Sequence, residues 1–146
     1  MKHIYLSSLL LILTFSVSAQ SLSQSDDVRK LTDNVMNQLA LQKYNDGLDM
    51  LKQFSVLSSA DIGTIESTLS AQLPKITPSY GRIVGFEFVA QRQIASSLID
   101  LKYLLKFEKH ALIWTFGFYN SGSGWSLIAL NYSDRLQELF SSSPGN

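Results

Sequence analysis

An α+β fold, with N-terminal helices packed on a four-stranded antiparallel sheet, is what the spacing of the apolar residues predicts. As far as Leu73 they recur every three or four residues, the period of a helix with one buried face. From Arg82 onward they recur every second residue, the period of a strand. The stretch 103–132 holds both tryptophans, Trp114 and Trp125, in aromatic and β-branched runs. A charged turn (Glu108, Lys109, His110) and a Gly/Ser turn over 120–124 break those runs, as in a meander.

Residues 1–19 read as an export leader. Lys2 and His3 precede a short apolar run from Ile4 to Phe15, and Val17 and Ala19 stand at the two positions a signal peptidase reads. Cleavage is expected after Ala19, which sends the chain to a periplasm or outside the cell. The apolar run is too short to span a bilayer, and no later stretch is apolar enough to stop transfer. No cysteine stands at the cut, so a lipid anchor is excluded.

Removing 19 of 146 residues leaves 127, enough for one domain with a single core. Lys2 is the leader's one Lys or Arg, so the 12 basic residues become 11 against 12 acidic ones. That balance argues against a nucleic-acid partner, which needs a basic face. The chain has no cysteine, so neither disulfides nor thiolate metal sites are available and the core must hold the domain.

Residues 20–24 are polar and are expected to fray; the domain spans 25–140. Ser25 reads as an N-cap, with Asp26 and Asp27 where the helix dipole favours negative charge. Val28, Leu31, Val35 and Leu39 form the buried stripe. Asn45, Asp46 and Gly47 predict a break, followed by a short helix over 48–54. Ser58 and Asp61 predict a capping box opening a helix whose stripe is Ile62, Ile65, Leu69 and Leu73. Pro74 is expected to close it, leaving 74–81 as a loop with two prolines and a glycine.

In the first strand Val84, Phe86 and Phe88 alternate with Ile83, Gly85, Glu87 and Val89, and 91–97 reads as a turn region. The second strand has one dry face (Ile99, Leu101, Tyr103, Leu105, Phe107) and one wet face. The third puts Leu112, Trp114, Phe116 and Phe118 on one side. In the fourth, strict alternation sets Trp125, Leu127 and Ala129 against Ile128, Leu130 and Tyr132. Ser133 is expected to cap a last short helix resting on Leu136, Leu139 and Phe140, with 141–146 a disordered tail.

The run Tyr80, Gly81, then Gly85-Phe86-Glu87-Phe88-Val89, then residues 103–110, then Trp114-Thr115-Phe116-Gly117-Phe118-Tyr119, Gly124-Trp125 and a closing segment 134–140 resembles small exported bacterial proteins of the cystatin-like and nuclear transport factor 2-like superfamily. The resemblance covers nearly the whole exported chain. It implies a sheet wrapped around its helices with a cone-shaped cavity between them, and it specifies fold better than function.

Candidates for chemistry are few. Glu87 sits in an apolar strand, and a carboxylate in an apolar cavity can serve as an acid or base; pairing with Arg82 or Arg92 is its bland alternative. Tyr103, Trp114 and Tyr119 are candidates to line a ligand pocket, although aromatics at period two are more often core. His110, the one histidine past the leader, lies in a tight turn without companions at metal-ligand spacing. Ser123 and Ser126 lack a nucleophile-elbow pattern, and Gly117, Gly122 and Gly124 match no phosphate loop. Asn131-Tyr132-Ser133 matches a glycosylation sequon by chance at a strand end.

No metal or cofactor is therefore expected. The reading favours binding of a small apolar ligand or a protein partner over catalysis. The alternatives are an enzyme like the ketosteroid isomerases of that superfamily, which needs Glu87 to converge with Tyr103 or Tyr119, and a homodimer formed through an exposed sheet face. A cystatin-type inhibitor loop at Gln91-Arg92-Gln93-Ile94-Ala95 lacks the valine and glycine such loops carry.

Overall fold

The computed structural model describes residues 21–141; the leader over 1–19 and the tail past Ser141 lie outside the described residues. Three helices, α1 (Ser25–Ala40), α2 (Tyr44–Lys52) and α3 (Ser59–Tyr80), precede strands β1 (Ile83–Ile94), β2 (Leu98–Phe107), β3 (Ala111–Asn120) and β4 (Trp125–Ser133), and a short α4 (Gln137–Ser141) follows. The strands form one antiparallel sheet in the order β1-β2-β3-β4. This is the expected α+β layout. The helices cover the sheet face made by Leu101, Tyr103, Leu105, Trp114, Phe116 and Phe118, all of them buried.

The expected stripe of α1 is buried at Val28, Leu31, Val35 and Leu39. Its N-cap is Gln24 and not Ser25: the Gln24 N–H donates to Asp27 Oδ2 at 3.2 Å. Ahead of it, Leu22 is held where fraying was expected, because it exchanges backbone hydrogen bonds of 3.0 and 2.7 Å with Trp125.

The break between α1 and α2 falls at 41–43 and not at Asn45-Asp46-Gly47. Gln42 takes the left-handed conformation (φ 63°), its N–H donating to Leu39 O while the Lys43 N–H donates to Gln38 O. Those two bonds make a Schellman stop with glutamine where glycine is usual. Gly47 sits inside α2 for a packing reason: a Cβ there would come within 3.1 Å of Gln38 Cβ and Val35 O on α1. Its missing side chain lets two helices approach; it does not make a turn.

The Ser58–Asp61 box opens α3 as predicted, with Ser58 Oγ accepting the Asp61 N–H at 3.0 Å and Asp61 Oδ2 the Ser58 N–H at 3.1 Å. The helix then runs through Pro74 and Pro78 to Tyr80, where a loop was expected. Spaced four residues apart, the prolines share one exposed side of the helix, where water can serve the carbonyls they leave without donors. Gly81 (φ 81°) ends α3, and its N–H reaches Thr77 O at 2.8 Å. Glu108 fills the space beside Gly81, accepting the Arg82 N–H at 3.0 Å and its guanidinium at 2.9 Å.

β1 continues through Ile94, so the region expected as a turn is paired as far as Ile94 and Leu98. Bulges at Val84 and Val89 keep Phe86 and Phe88 toward the core and leave Val84 exposed. A bulge in β4 corrects the strict alternation read there. Gly117 pairs with Ala129 but Phe118 pairs with Leu127, so Ile128 is the extra residue. Past it the phase slips by one, and Leu130 and Tyr132 join Trp125 and Leu127 on the core side while Ala129 is exposed. At the C-terminus α4 starts at Gln137, and Phe140, expected as an apolar contact, is 76% exposed.

Candidate functional site

The bulges and register place four aromatic residues in one row across the covered face: Phe88 opposite Tyr103, Tyr103 opposite Trp114, Trp114 opposite Tyr132. Neighbouring rings touch along it. Phe88 meets Tyr103 edge-on at 5.4 Å, Phe116 bridges Tyr103 and Trp114, and Trp114 stacks on Tyr132 at 5.1 Å.

At its β1 end the row is closed. The Arg29 guanidinium of α1 lies 3.4 Å from the centre of the Phe88 ring and pairs with Asp33 at 2.9 Å. The buried Tyr103 hydroxyl donates to Asp33 Oδ1 at 2.7 Å and stands 2.7 Å from Thr32 Oγ1. Burial holds this hydroxyl well above the usual phenol range; the Asp33 charge adds to that, and Thr32 and Arg29 oppose it. Tyr103 is thus a neutral donor whose partners are already present, with no room for a substrate.

At the β4 end the row opens. α3 packs closely on α2 but stands further from the sheet, and a cleft of about 580 Å³ lies between its C-terminal half and the end of β4. Leu69, Leu73 and Ile76 of α3 face Leu112 and Tyr132 of the sheet across it. The Tyr132 hydroxyl donates to Gln72 Oε1 at 2.8 Å. Burial also raises the Tyr132 hydroxyl above its ordinary range. Behind Tyr132 lies Trp114, fully buried, whose Nε1 has no hydrogen-bond partner among the described residues.

The rim is charged. Lys75 of α3 faces Asp134 and Arg135 beyond β4. Tyr80 closes one end, donating to Asp134 Oδ2 at 3.1 Å, with the His110 ring packed against it at 4.3 Å. His110 Nε2 meets the backbone oxygen of Asp134 at 3.2 Å and not its carboxylate, so no His–Asp catalytic pair forms.

Of the four residues singled out in the sequence, the structure brings two together. Tyr103 and Trp114 are cross-strand neighbours, but both are fully buried and neither lines the cleft. Glu87 lies on the opposite sheet face from Tyr103, beside Leu104, its side chain 61% exposed and 3.4 Å from Lys106 Nζ. Strand alternation turns it away from the helices and from the cavity expected for it. Tyr119, 44% exposed, pairs with Leu98 and Ser126 away from the cleft.

The residues that build the cleft were missed for two local reasons. Lys75, Ile76 and Tyr80 belong to a stretch read as loop past Pro74, and strict alternation assigned Tyr132 to the wrong face of β4. Two prolines in register on one exposed helix side were the available signal for the first.

Among the described residues no three His, Asp or Glu side chains gather as metal ligands, and no helix is long and apolar enough to cross a membrane. No protein-family model, curated protein or solved structure matches this chain.

Proposed function

We propose that this protein is a non-catalytic binding module that holds a small, mainly apolar ligand in the cleft between α3 and β4. The observation that carries the reading is the cleft itself. Its volume of about 580 Å³ falls within the range of small-molecule sites, and its lining combines apolar side chains (Leu69, Leu73, Ile76, Leu112) with an equal share of polar and charged surface. The helix-then-sheet order supports the resemblance to the cystatin-like and nuclear transport factor 2-like superfamily, in which a cavity of this kind lies between helices and sheet. The leader expected over 1–19 sends such a module across a membrane.

The isomerase alternative draws no support from the geometry. It needs Glu87 to converge with Tyr103 or Tyr119, and Glu87 and Tyr103 occupy opposite faces while Tyr119 pairs with Leu98 at the other end of β2. A homodimer through Trp114 and Phe118 draws no support either, because both are fully buried beneath the helices.

N-phenyl-1-naphthylamine, a neutral apolar dye that brightens out of water, tests the reading. The dye is expected to bind the wild-type protein with micromolar affinity. Ile76→Trp, which fills the cleft from a half-buried position on α3, is expected to abolish the signal while leaving the unfolding midpoint nearly unchanged. No dye binding to the wild type, or equal binding by a folded Ile76→Trp variant, would overturn it.

A further inference from the structure

The cleft has a charge asymmetry that the apolar reading does not use. Two cations border it from opposite walls, Lys75 on α3 and Arg135 just past β4. Among the described residues no carboxylate lies within 4 Å of Lys75, and Arg135 meets an exposed Glu138 at 3.8 Å. Asp134 is the carboxylate in the lining, and it already accepts the Tyr80 hydroxyl. The Tyr132 hydroxyl is already engaged, donating to Gln72 Oε1. Lys75 is thus left without a carboxylate partner among the described residues, and Arg135 with a single exposed one.

From this arrangement we infer that the ligand is an amphipathic anion. Its chain or ring system lies against the half-buried Ile76 and Tyr132, and a carboxylate, phosphate or sulfonate sits between Lys75 and Arg135. The inference rests on the cleft-binding reading and adds the ligand's polarity and direction: apolar end inward, anion at the mouth. An ammonium forks into an anion as a point charge and a guanidinium grips it through two N–H groups, so one cation of each kind across a gap suits a tetrahedral or planar oxyanion. A cationic amphiphile of equal length meets two like charges there against the single carboxylate of Asp134. The same anionic chemistry is carried by a free acid and by the headgroup of a bilayer lipid.

Displacement of N-phenyl-1-naphthylamine by dodecanoate, dodecanol and dodecyltrimethylammonium, each below its micelle concentration, separates the terms. The wild type is expected to take dodecanoate about tenfold more tightly than dodecyltrimethylammonium, a preference that weakens with added salt. Lys75→Gln combined with Arg135→Gln is expected to bring the two within about twofold of each other and to leave dodecanol unchanged, as exposed charges do not build the floor. Equal displacement by all three amphiphiles in the wild type, or a preference for dodecanoate that survives the double substitution, would overturn the anion inference and leave the apolar cleft standing. Absence of dye binding would instead remove the cleft reading itself. Phosphatidylglycerol vesicles separate the two sources: sedimentation with vesicles that persists in Ile76→Trp, without displacement by dodecanoate, would assign the cations to a membrane surface and contradict a ligand in the cleft.

Discussion

The two ends of the aromatic row show what separates finished core from open site. Both ends have a tyrosine hydroxyl and an aromatic ring under a helix, so composition does not distinguish them. At the α1 end the hydroxyl of Tyr103 is buried and satisfied by Thr32 and Asp33, and Arg29 lies on Phe88 like a lid. At the α3 end Tyr132 is only half-buried, Trp114 Nε1 lacks a partner, and space remains between helix and sheet. Buried polar groups are costly unless paired. The end that pairs them is closed, and the end that leaves a cleft bordered by Lys75 and Arg135 is where a ligand is expected.

The contrast is broken most strongly by truncating each tyrosine. Tyr103→Ala is expected to lower the unfolding free energy by about 3–5 kcal/mol, as for a large buried aromatic, and Tyr132→Ala by less than about half of that. Chemical denaturation of the two variants checks the ratio, and equal losses would erase the distinction between the ends.

A smaller change isolates the hydroxyl. Tyr103→Phe is expected to cost about 1 kcal/mol, since Asp33 keeps Arg29 and Thr32 keeps the carbonyls of Val28 and Arg29. It also carries a pH signature. The folded protein holds the Tyr103 proton more tightly than the unfolded chain, so this contribution is fully present below the ordinary tyrosine pKa of about 10 and is lost as pH rises beyond it. Alkaline unfolding of the wild type is expected to fall more steeply above that pH than unfolding of Tyr103→Phe.

Pro74→Ala probes the wall of the open end. Alanine restores an N–H for the Ser70 carbonyl in a helix that already runs through this position, and a gain of about 1 kcal/mol is expected. A loss would mean that the proline ring is held by packing. The smallest effect belongs to the opposite face: Glu87→Gln, which removes one exposed pair with Lys106, is expected to change stability by less than about 0.5 kcal/mol and dye binding not at all.

The architecture was legible because long apolar stripes repeat. Val28 to Leu39 at helical spacing and Ile99 to Phe107 at period two each state a buried face many times over. The site was hardly legible, because single residues with two physical uses define it. Gly47 allows helix contact where a break was read, and Gln42 makes the turn that glycine usually makes. Pro74 sits inside a helix it was expected to end, and Ile128 shifts the phase of β4 without any mark in composition. The last two matter most, since α3 beyond Pro74 and β4 beyond Ile128 are the two walls of the cleft. Glu87 drew attention as a carboxylate among apolar residues, yet the alternation that surrounds it with them also turns it outward.

Native mass spectrometry of the protein recovered under gentle conditions from the cells that make it tests the central claim most directly. The account predicts a mass excess of a few hundred daltons that denaturation releases, that Ile76→Trp abolishes, and that negative-ion analysis identifies as an amphipathic acid. Wild-type protein that arrives bare, or an adduct that Ile76→Trp retains unchanged, would contradict it.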